Sequence, residues 1–162
     1  MERVNRLVAF PEYRDYLSKI EEKEAERPYC PHHFAHCLDV ARLCWIFLLE
    51  EGIDYSREVV YGAALLHDIG RWQEYDGHEC HARRGAELAG PLLVQAGYNP
   101  EERRLVLDAV AEHRRKAGQE FSSSLSYFLR KADKYSRLCF RCTAWNDCHK
   151  KDEMPQGRQL LY

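Results

Sequence analysis

Apolar residues recur at helical spacing through most of this chain, beginning close to its N-terminus. Tyr13, Leu17 and Ile20 would share one face of a helix, and a Glu-Lys-Glu run would supply its solvated side. Two prolines then end the pattern, because proline lacks a backbone donor and clashes with the preceding helical turn. We therefore predict a packing helix over about 12–26, within an N-terminal packing segment formed by residues 1–29.

The second apolar stripe carries a histidine. Val40 and Phe47 lie on the same helical face as His36, so the imidazole of His36 should point toward the core. Gly52 is a typical helix stop, and the pattern therefore predicts a helix over about 32–51.

A third apolar run ends at a His-Asp pair. Ser56 is a typical cap for this helix, and Val60 lies on the face that leads to His67. Gly70 closes the run as a helix stop. Asp68 follows His67 directly, and neighbouring side chains diverge by about 100 degrees on a regular helix. The two can therefore serve one site if they lie at a helix end.

Loop and helix signals alternate after this pair. An Asp-Gly turn signal predicts a loop over 71–80, next to the candidate chemistry. A helix over about 81–96 follows with His81 on its apolar face. We expect Pro91, in the middle of this helix, to bend or split it.

Two more helices complete the pattern. An Asn-Pro-Glu-Glu sequence is a typical helix start, and Val110 shares the helical face that follows with His113. The last helix is predicted over about 124–140, where Leu129 lies beside Asp133.

The whole pattern favours an all-α protein. No segment alternates as a strand would, so we expect a single-domain bundle of about six helices over 1–162, with residues 143–162 as an irregular tail. Hydrophobic residues make up 45% and charged residues 31%, which is typical of a soluble globular protein. A net charge of -2 gives no basic field for a nucleic-acid polymer. We predict a cytoplasmic protein without a membrane partner, because no signal-peptide core or membrane-spanning run is present.

The inward faces carry an unusual set of polar residues. A lone histidine on an apolar stripe is more commonly a hydrogen-bonded core residue than a metal ligand. Burying several unpaired polar groups would cost about 1–3 kcal/mol each, whereas a divalent metal would satisfy imidazoles and carboxylates together. The sequence therefore predicts a metal site between the helices, with six candidate ligands: His36, His67, Asp68, His81, His113 and Asp133.

The order of these residues resembles the HD-domain superfamily of metal-dependent phosphohydrolases. The resemblance covers residues 30–142 as the HD core. It rests on a histidine, a His-Asp pair in a His-Asp-Ile-Gly-Arg context, a His-x3-Gly helix start and a final aspartate: His36, His67-Asp68, His81-x3-Gly85 and Asp133.

The resemblance implies a ligand set. It implies a helical bundle whose first metal is held by four of the six candidates: His36, His67, Asp68 and Asp133. Members with two metals add histidines from intervening helices, and His81 and His113 occupy the expected places. His78 precedes His81 by one helical turn and is an alternative to it.

The resemblance also implies a reaction, in which a metal-bound hydroxide hydrolyses a small phosphorylated molecule, a phosphate monoester or a nucleotide. Asp68 and His67 would be its catalytic pair, and one or two ions of iron, manganese, nickel, cobalt or zinc suit these ligands. Arg71 and Lys134 are candidate phosphate-binding residues, although solvated surface charges are an equally typical interpretation. The competing hypotheses are a non-catalytic module that senses a nucleotide, iron or redox state, and a purely structural helical protein.

Cysteines form a second candidate constellation near the C-terminus. The Cys-x2-Cys spacing can chelate an additional, structural zinc ion, and the candidate ligands are Cys139, Cys142, Cys148 and His149. A complete site needs four ligands, and Cys30 or Cys80 could replace His149 as the fourth. Free thiols are the alternative, because a second close pair is missing. With seven cysteines in a compartment expected to be reducing, a disulfide framework is not expected.

Overall fold

The computed structural model describes residues 1–162 except Glu79, Ala117 and Arg158. Within the described residues the chain is helical and contains no strand, which confirms the predicted all-α class. It forms eight α-helices and two 3₁₀-helices: α1 (Glu2–Ala9), α2 (Pro11–Glu24), α3 (Phe34–Glu50), α4 (Arg57–Leu66), α5 (Arg71–Tyr75), α6 (His81–Ala96), α7 (Pro100–Glu112), α8 (Ser124–Tyr135), η1 (Cys139–Arg141) and η2 (Lys151–Glu153).

The core lies between α3, α4, α7 and α8. α3 packs against α4 and α8, while α7 contacts α4, α6 and α8. Fully buried apolar side chains such as Phe47, Leu66, Val110 and Leu129 belong to one continuous cluster. Because the cluster draws on helices distant in sequence, it fixes the ends and faces on which the polar residues lie. None of the described helices has the length and apolar character needed to span a membrane.

The N-terminal segment forms two helices, where one had been predicted within residues 1–29. Phe10 separates them in an extended conformation (φ -62°, ψ 134°), because the residue before a proline avoids the helical region. Pro11 then opens α2 at its first turn. Arg3 attaches the added helix α1 to the bundle through Glu58 of α4 (2.6 Å) and Glu102 of α7 (2.5 Å).

The segment 71–80 had been predicted as a loop, and this was wrong for its first half. Helix α5 begins directly after the His-Asp turn and ends at the predicted Asp-Gly signal, where Gly77 adopts a positive φ of 86°. Trp72 stacks on Tyr16 of α2 with ring centroids 6.4 Å apart. This contact gives a five-residue helix the tertiary support that its length alone would not provide.

Of the bend or split predicted at Pro91, the split does not occur, because Pro91 lies inside a continuous α6. One helix boundary also differs from its prediction. The last helix ends at Tyr135, although the pattern had predicted it through 140. Ser136 donates a hydrogen bond to Asp133 O (2.8 Å), and the chain turns there. Ser56 occupies the predicted N-cap of α4 without a side-chain capping bond.

The C-terminal tail, residues 143–162, contains η2 among turns and irregular backbone. It nevertheless packs on the bundle. The buried amide of Gln156 donates to Tyr135 O at the end of α8, and the ring of Tyr162 meets the ring of Phe47 edge-on at 4.7 Å. The tail therefore returns toward α3 and α8.

Candidate metal centre

Three helices bring the first four predicted ligands together. His36 lies in α3, His67 and Asp68 follow the last residue of α4, and Asp133 lies in α8. One ligand atom from each of the four side chains lies within 4.8 Å of the others. His36 Nε2 is 3.1 Å from Asp133 Oδ1, and His67 Nε2 is 2.9 Å from Asp68 Oδ2. The His-Asp pair can act in one site because it lies at a helix end.

Asp68 also belongs to a second group, with His81 and His113. Its Oδ1 lies 3.1 Å from His81 Nε2 and 3.7 Å from His113 Nε2. Its other oxygen, Oδ2, faces His67 and His36 at 2.9 and 3.7 Å. The carboxylate of Asp68 thus presents one oxygen to each group.

The structure distinguishes the two histidines that the sequence had left as alternatives for the second group. His81, at the start of α6, lies inside this group and is buried. His78 is exposed on the turn that precedes α6.

A close approach of two backbones positions the second group. A Cβ atom on Gly70 would lie 2.5 Å from both Gly85 N and His81 O, which is closer than such atoms can pack. Gly70 had been predicted as a helix stop, but its backbone is in the ordinary helical region and the chain continues directly into α5. Because Gly70 has no Cβ atom, the His-Asp turn can contact the first turn of α6, where His81 lies.

Hydrogen bonds orient the imidazoles. His67 Nδ1 donates to Ala64 O and His113 Nδ1 donates to Val110 O, each at 2.6 Å. Because Nδ1 carries the donated proton, Nε2 is the atom left to bind an ion. Both bonds lie within the helix turn that precedes the histidine, so local geometry fixes both rings.

The other two histidines take their orienting partners from elsewhere. Glu74 of α5 accepts from both Nδ1 and the backbone nitrogen of His81, and this bond holds the pKa of Glu74 well below its usual range. Ser136 donates to Asp133 O, so its oxygen is free to accept from His36 Nδ1 at 3.2 Å. Neither Glu74 nor Ser136 was identified from the sequence.

The donor set fits a divalent metal. Among the described residues, four buried side-chain atoms lack a hydrogen-bond partner, and two of them are His67 Nε2 and Asp133 Oδ1 of the first group. In the second group, His81 Nε2 and His113 Nε2 face each other at 3.1 Å. Converging lone pairs and unpartnered buried atoms are costly unless a cation satisfies them. These residues could therefore hold one ion in each group.

The electrostatics keep the carboxylates ionised. Burial alone would raise the pKa of Asp68, but His67, His32 and Arg71 hold it well below its usual range. Burial alone would lower the pKa of His67, but Asp68 and Asp133 raise it to about 10. His67 Nε2 therefore attracts positive charge strongly, as a proton or as a metal ion that replaces it.

A buried His-Glu pair lies beside the first group and was not identified from the sequence. His32 Nδ1 lies 2.5 Å from Glu24 Oε1, and its backbone nitrogen donates to Glu24 Oε2 at 2.7 Å. The ring of His32 meets that of His36 edge-on at 5.7 Å. The position of His32, one helical turn before the inward His36, was the one signal that could have indicated it.

A cavity opens onto both groups, and its wall is rich in cations. Four of the candidate ligands belong to its lining: Asp68, His81, His113 and Asp133. The remaining lining includes six basic residues: Arg27, Arg71, Arg114, Lys134, Arg137 and Lys150. A cationic wall beside two metal-ligand groups suits an anionic ligand such as a phosphate.

The two predicted phosphate-binding residues occupy different places. Arg71 Nη1 lies 3.4 Å from Asp68 Oδ1 and 3.2 Å from His81 Nε2. Lys134 borders the cavity but pairs with Glu153 at 3.0 Å. A third cation, Arg137, lies 2.8 Å from His36 through Nη2 and was not identified from the sequence.

The family model for the HD domain matches residues 33–138, which is more than half of the chain. This chain belongs to the HD domain family. An uncharacterized protein of Clostridium beijerinckii is 33% identical to this HD protein over 153 residues, covering 94% of this chain and 95% of the relative. The two chains therefore correspond along nearly their whole lengths.

More distant relatives carry functional names. YueE of Bacillus subtilis, named as a candidate phosphohydrolase, is 31% identical over 93 residues, or 49% of this chain and 53% of YueE. Ribonuclease Y of Geotalea uraniireducens is 33% identical over 87 residues, or 51% of this chain but 16% of that protein. The crystal structure of an HD superfamily hydrolase from an uncultured Thermotogales bacterium superposes with a TM-score of 0.57 and 28% identity, over 77% of this chain and 68% of that one. These similarities support a hydrolase.

Proposed function

We propose that this HD protein is a metal-dependent phosphohydrolase that hydrolyses a phosphate monoester or a nucleotide. The observation that carries the proposal is the carboxylate of Asp68, which offers one oxygen to each ligand group in the lining of a cationic cavity. The hydrolase names among the relatives favour this reading over a non-catalytic sensing module.

The chain supplies the two binding places. When bound, divalent ions would supply an acidified water as the nucleophile and positive charge for the phosphoryl oxygens. The first ion would be held by four residues: His36, His67, Asp68 and Asp133. The second would be held by Asp68, His81 and His113. Imidazole and carboxylate donors suit iron, manganese, nickel, cobalt or zinc.

The cavity wall would bind and orient the substrate. Arg71 stands beside the second group and Arg137 beside the first, so a phosphate that reaches both groups would meet a guanidinium on either side. Arginine pairs with phosphate through two parallel hydrogen bonds, which fixes its orientation. Lys134 would reach a substrate after giving up its pairing with Glu153.

His32 would assist from the wall of the same cavity. Burial, together with Arg71 and Arg137, lowers the pKa of His32 to about 4 even though Asp68 and Glu24 act in the opposite direction. The ring is therefore neutral near pH 7, and its Nδ1 proton is committed to Glu24. With a pKa of about 4 the ring is a weak base near pH 7, so His32 would act as a neutral hydrogen-bonding group in the cavity wall.

The test is a metal and substrate matrix. Protein loaded with each of the five metals would be assayed for phosphate release from nucleoside mono-, di- and triphosphates, a generic phosphate ester and a short oligoribonucleotide. We expect turnover that Asp68→Asn abolishes and Asp15→Asn retains, because Asp15 is an exposed carboxylate paired with Lys19 on α2. Tight nucleotide binding without turnover in any metal form would contradict the proposal. Turnover of the oligoribonucleotide alone would move the substrate class to polynucleotides.

A further inference from the structure

Successive turns of the segment that follows α8 bring three cysteines close to one another in the chain. Cys142 N donates to Cys139 O (3.0 Å), Trp145 N donates to Cys142 O (3.3 Å), and Cys148 N donates to Trp145 O (3.2 Å). Each bond joins residues three positions apart, and side chains at this spacing return toward the same side. The backbone thus gathers three thiols over a short length of chain.

A fourth thiol is held next to them by contacts on both of its sides. Tyr29 meets the ring of His149 edge-on at 5.9 Å, and Pro31 O accepts from Arg137 Nη1 at 2.7 Å. Cys30, between these two anchors, faces the segment after α8. The sequence alone could not show this, because more than a hundred residues separate Cys30 from Cys139.

The four thiols line shared spaces. Cys30 and Cys139 border the metal-centre cavity together with Cys148. They also border a neighbouring cavity together with Cys142. Burial and the nearby thiols of Cys30, Cys142 and Cys148 raise the pKa of Cys139 to about 11. All four are free thiols, and a soft divalent cation would stabilise them as thiolates.

The other candidate ligands lie less favourably. Cys80 is exposed at the start of α6, where its sulfur lies 3.5 Å from Arg114. His149 also borders the metal-centre cavity, but its ring is in edge-on contact with Tyr29 at 5.9 Å. Cys30 is therefore the residue that completes a four-thiol set.

We propose that Cys30, Cys139, Cys142 and Cys148 bind one zinc ion, separate from the HD metal centre. Four thiolates complete the tetrahedral shell that structural zinc prefers. In the described part of the chain, no three of these sulfurs lie within 4.8 Å of one another as the HD ligand atoms do. Binding would draw them together, as is usual where metal binding is coupled to local folding.

The zinc ion would hold one wall of the HD cavity. Cys148 is followed by Lys150 and Met154, which line that cavity together with HD ligands. An ion that fixes Cys148 to Cys30 and Cys139 would also fix the position of Lys150. This consequence rests on the proposed phosphohydrolase function, but the zinc site itself does not.

The decisive measurement reports on sulfur ligation without turnover. Protein loaded with Co²⁺ would be examined for thiolate-to-cobalt charge-transfer bands, and zinc per chain would be determined by elemental analysis. The HD centre has nitrogen and oxygen donors, so the bands would belong to the thiol site. We expect the bands in the wild type and in the matched control Cys80→Ser. Cys142→Ser and Cys148→Ser should lose the bands and hold one zinc ion per chain fewer than the wild type.

Two outcomes would overturn the proposal. One is wild-type protein without thiolate-to-cobalt bands, a result that does not depend on whether any variant folds. The other is iron with inorganic sulfide in place of zinc. If the cavity consequence holds, Cys148→Ser raises KM for the substrate roughly tenfold, as loss of an outer support of a site does, while the metal content of the HD centre is unchanged.

Discussion

The HD centre and the thiol cluster (Cys30, Cys139, Cys142 and Cys148) border the same cavity, but different forces hold their ligands. The HD candidate ligands lie on or next to long helices whose apolar faces form the core. A hydrogen bond to a neighbouring residue fixes the orientation of each imidazole. Cys139 is buried at the start of the short helix η1, and the other three thiols are half-buried on irregular backbone. Helix packing can therefore assemble the first site without an ion, whereas the second needs its ion to close.

The largest expected effect separates the two groups of the HD centre. We expect His36→Ala to abolish the first ion and to lower kcat/KM by more than about 100-fold, above the range for outer-sphere partners. His113→Ala should remove the second ion and leave the first. Elemental analysis and phosphate release check both. Equal loss of both ions in His113→Ala would show that the groups are not independently assembled.

Removal of metal should open the backbone around the thiol cluster to protease before it opens the helices of the HD centre. Trypsin can cut at the exposed Arg141, Lys150 and Lys151 of the C-terminal segment. After chelation we expect cleavage there to accelerate by about tenfold or more, because local opening costs less once its metal is removed. Helices α3, α4 and α8 should resist. Mass spectrometry of the fragments checks the sites, and early cleavage inside α3 would contradict the comparison.

The approach of Gly70 to Gly85 gives a packing test inside the HD centre. Gly70→Ala would place a Cβ atom 2.5 Å from backbone atoms and should destabilise the fold by about 1–3 kcal/mol, as overpacking does. Gly90→Ala is the matched control: apart from its chain neighbours, its Cβ would meet nothing within 4 Å. The gain in helix propensity is opposed by crowding against the following Pro91, so stability should change by less than about 1 kcal/mol. Urea unfolding checks both. Equal stability of the two variants would contradict the close approach.

The last expected effect is a loss of stability at low pH. The pKa of His32 is lowered from 6.5 to about 4, mainly by burial. The pKa of Glu24 is lowered from 4.5 to about 2; burial opposes this, but the bonds from His32 outweigh it. Both groups bind protons more readily when unfolded, so their stabilisation is complete above pH 6.5 and is lost as the pH falls toward 2.

Urea unfolding of the chelated protein, measured as a function of pH, tests this. We expect the pair to account for about 2 kcal/mol of the fall in unfolding free energy. Glu24→Gln should lack the part of the fall that lies below pH 4.5, where Glu24 titrates. An unchanged acid slope in that variant would show that the pair does not carry it.

The sequence indicated the candidate ligands that lie on apolar helical stripes. His36, His81, His113 and Asp133 follow from periodicity, because a residue at helical spacing from core positions must point inward. Asp68, the second residue of the His-Asp pair, belongs to both groups. The division into an HD core over 30–142 with flanking segments stays a prediction, as does the cytoplasmic location.

The sequence did not identify the residues that orient or neighbour the ligands, because most of their roles depend on contacts between segments. Glu74 lies in α5, which the Asp-Gly signal had placed in a loop. Arg137 follows Asp133 by four residues and lies 3.6 Å from it. A helix continuing through 140 would also have placed Arg137 on the face of Asp133, so this spacing was a signal that went unused. The pairing of Glu24 with His32 joins two segments across a pair of prolines. Periodicity carries no information on such pairings.

The shared carboxylate of Asp68 has a consequence for how the HD centre would fill. Two divalent ions on one carboxylate repel each other, so the second binds more weakly than the first. By thermodynamic reciprocity, each ion weakens the other by the same factor. Occupancy would then rise in two steps as the metal concentration increases, and the fraction of protein with both groups filled would depend on the shared carboxylate of Asp68.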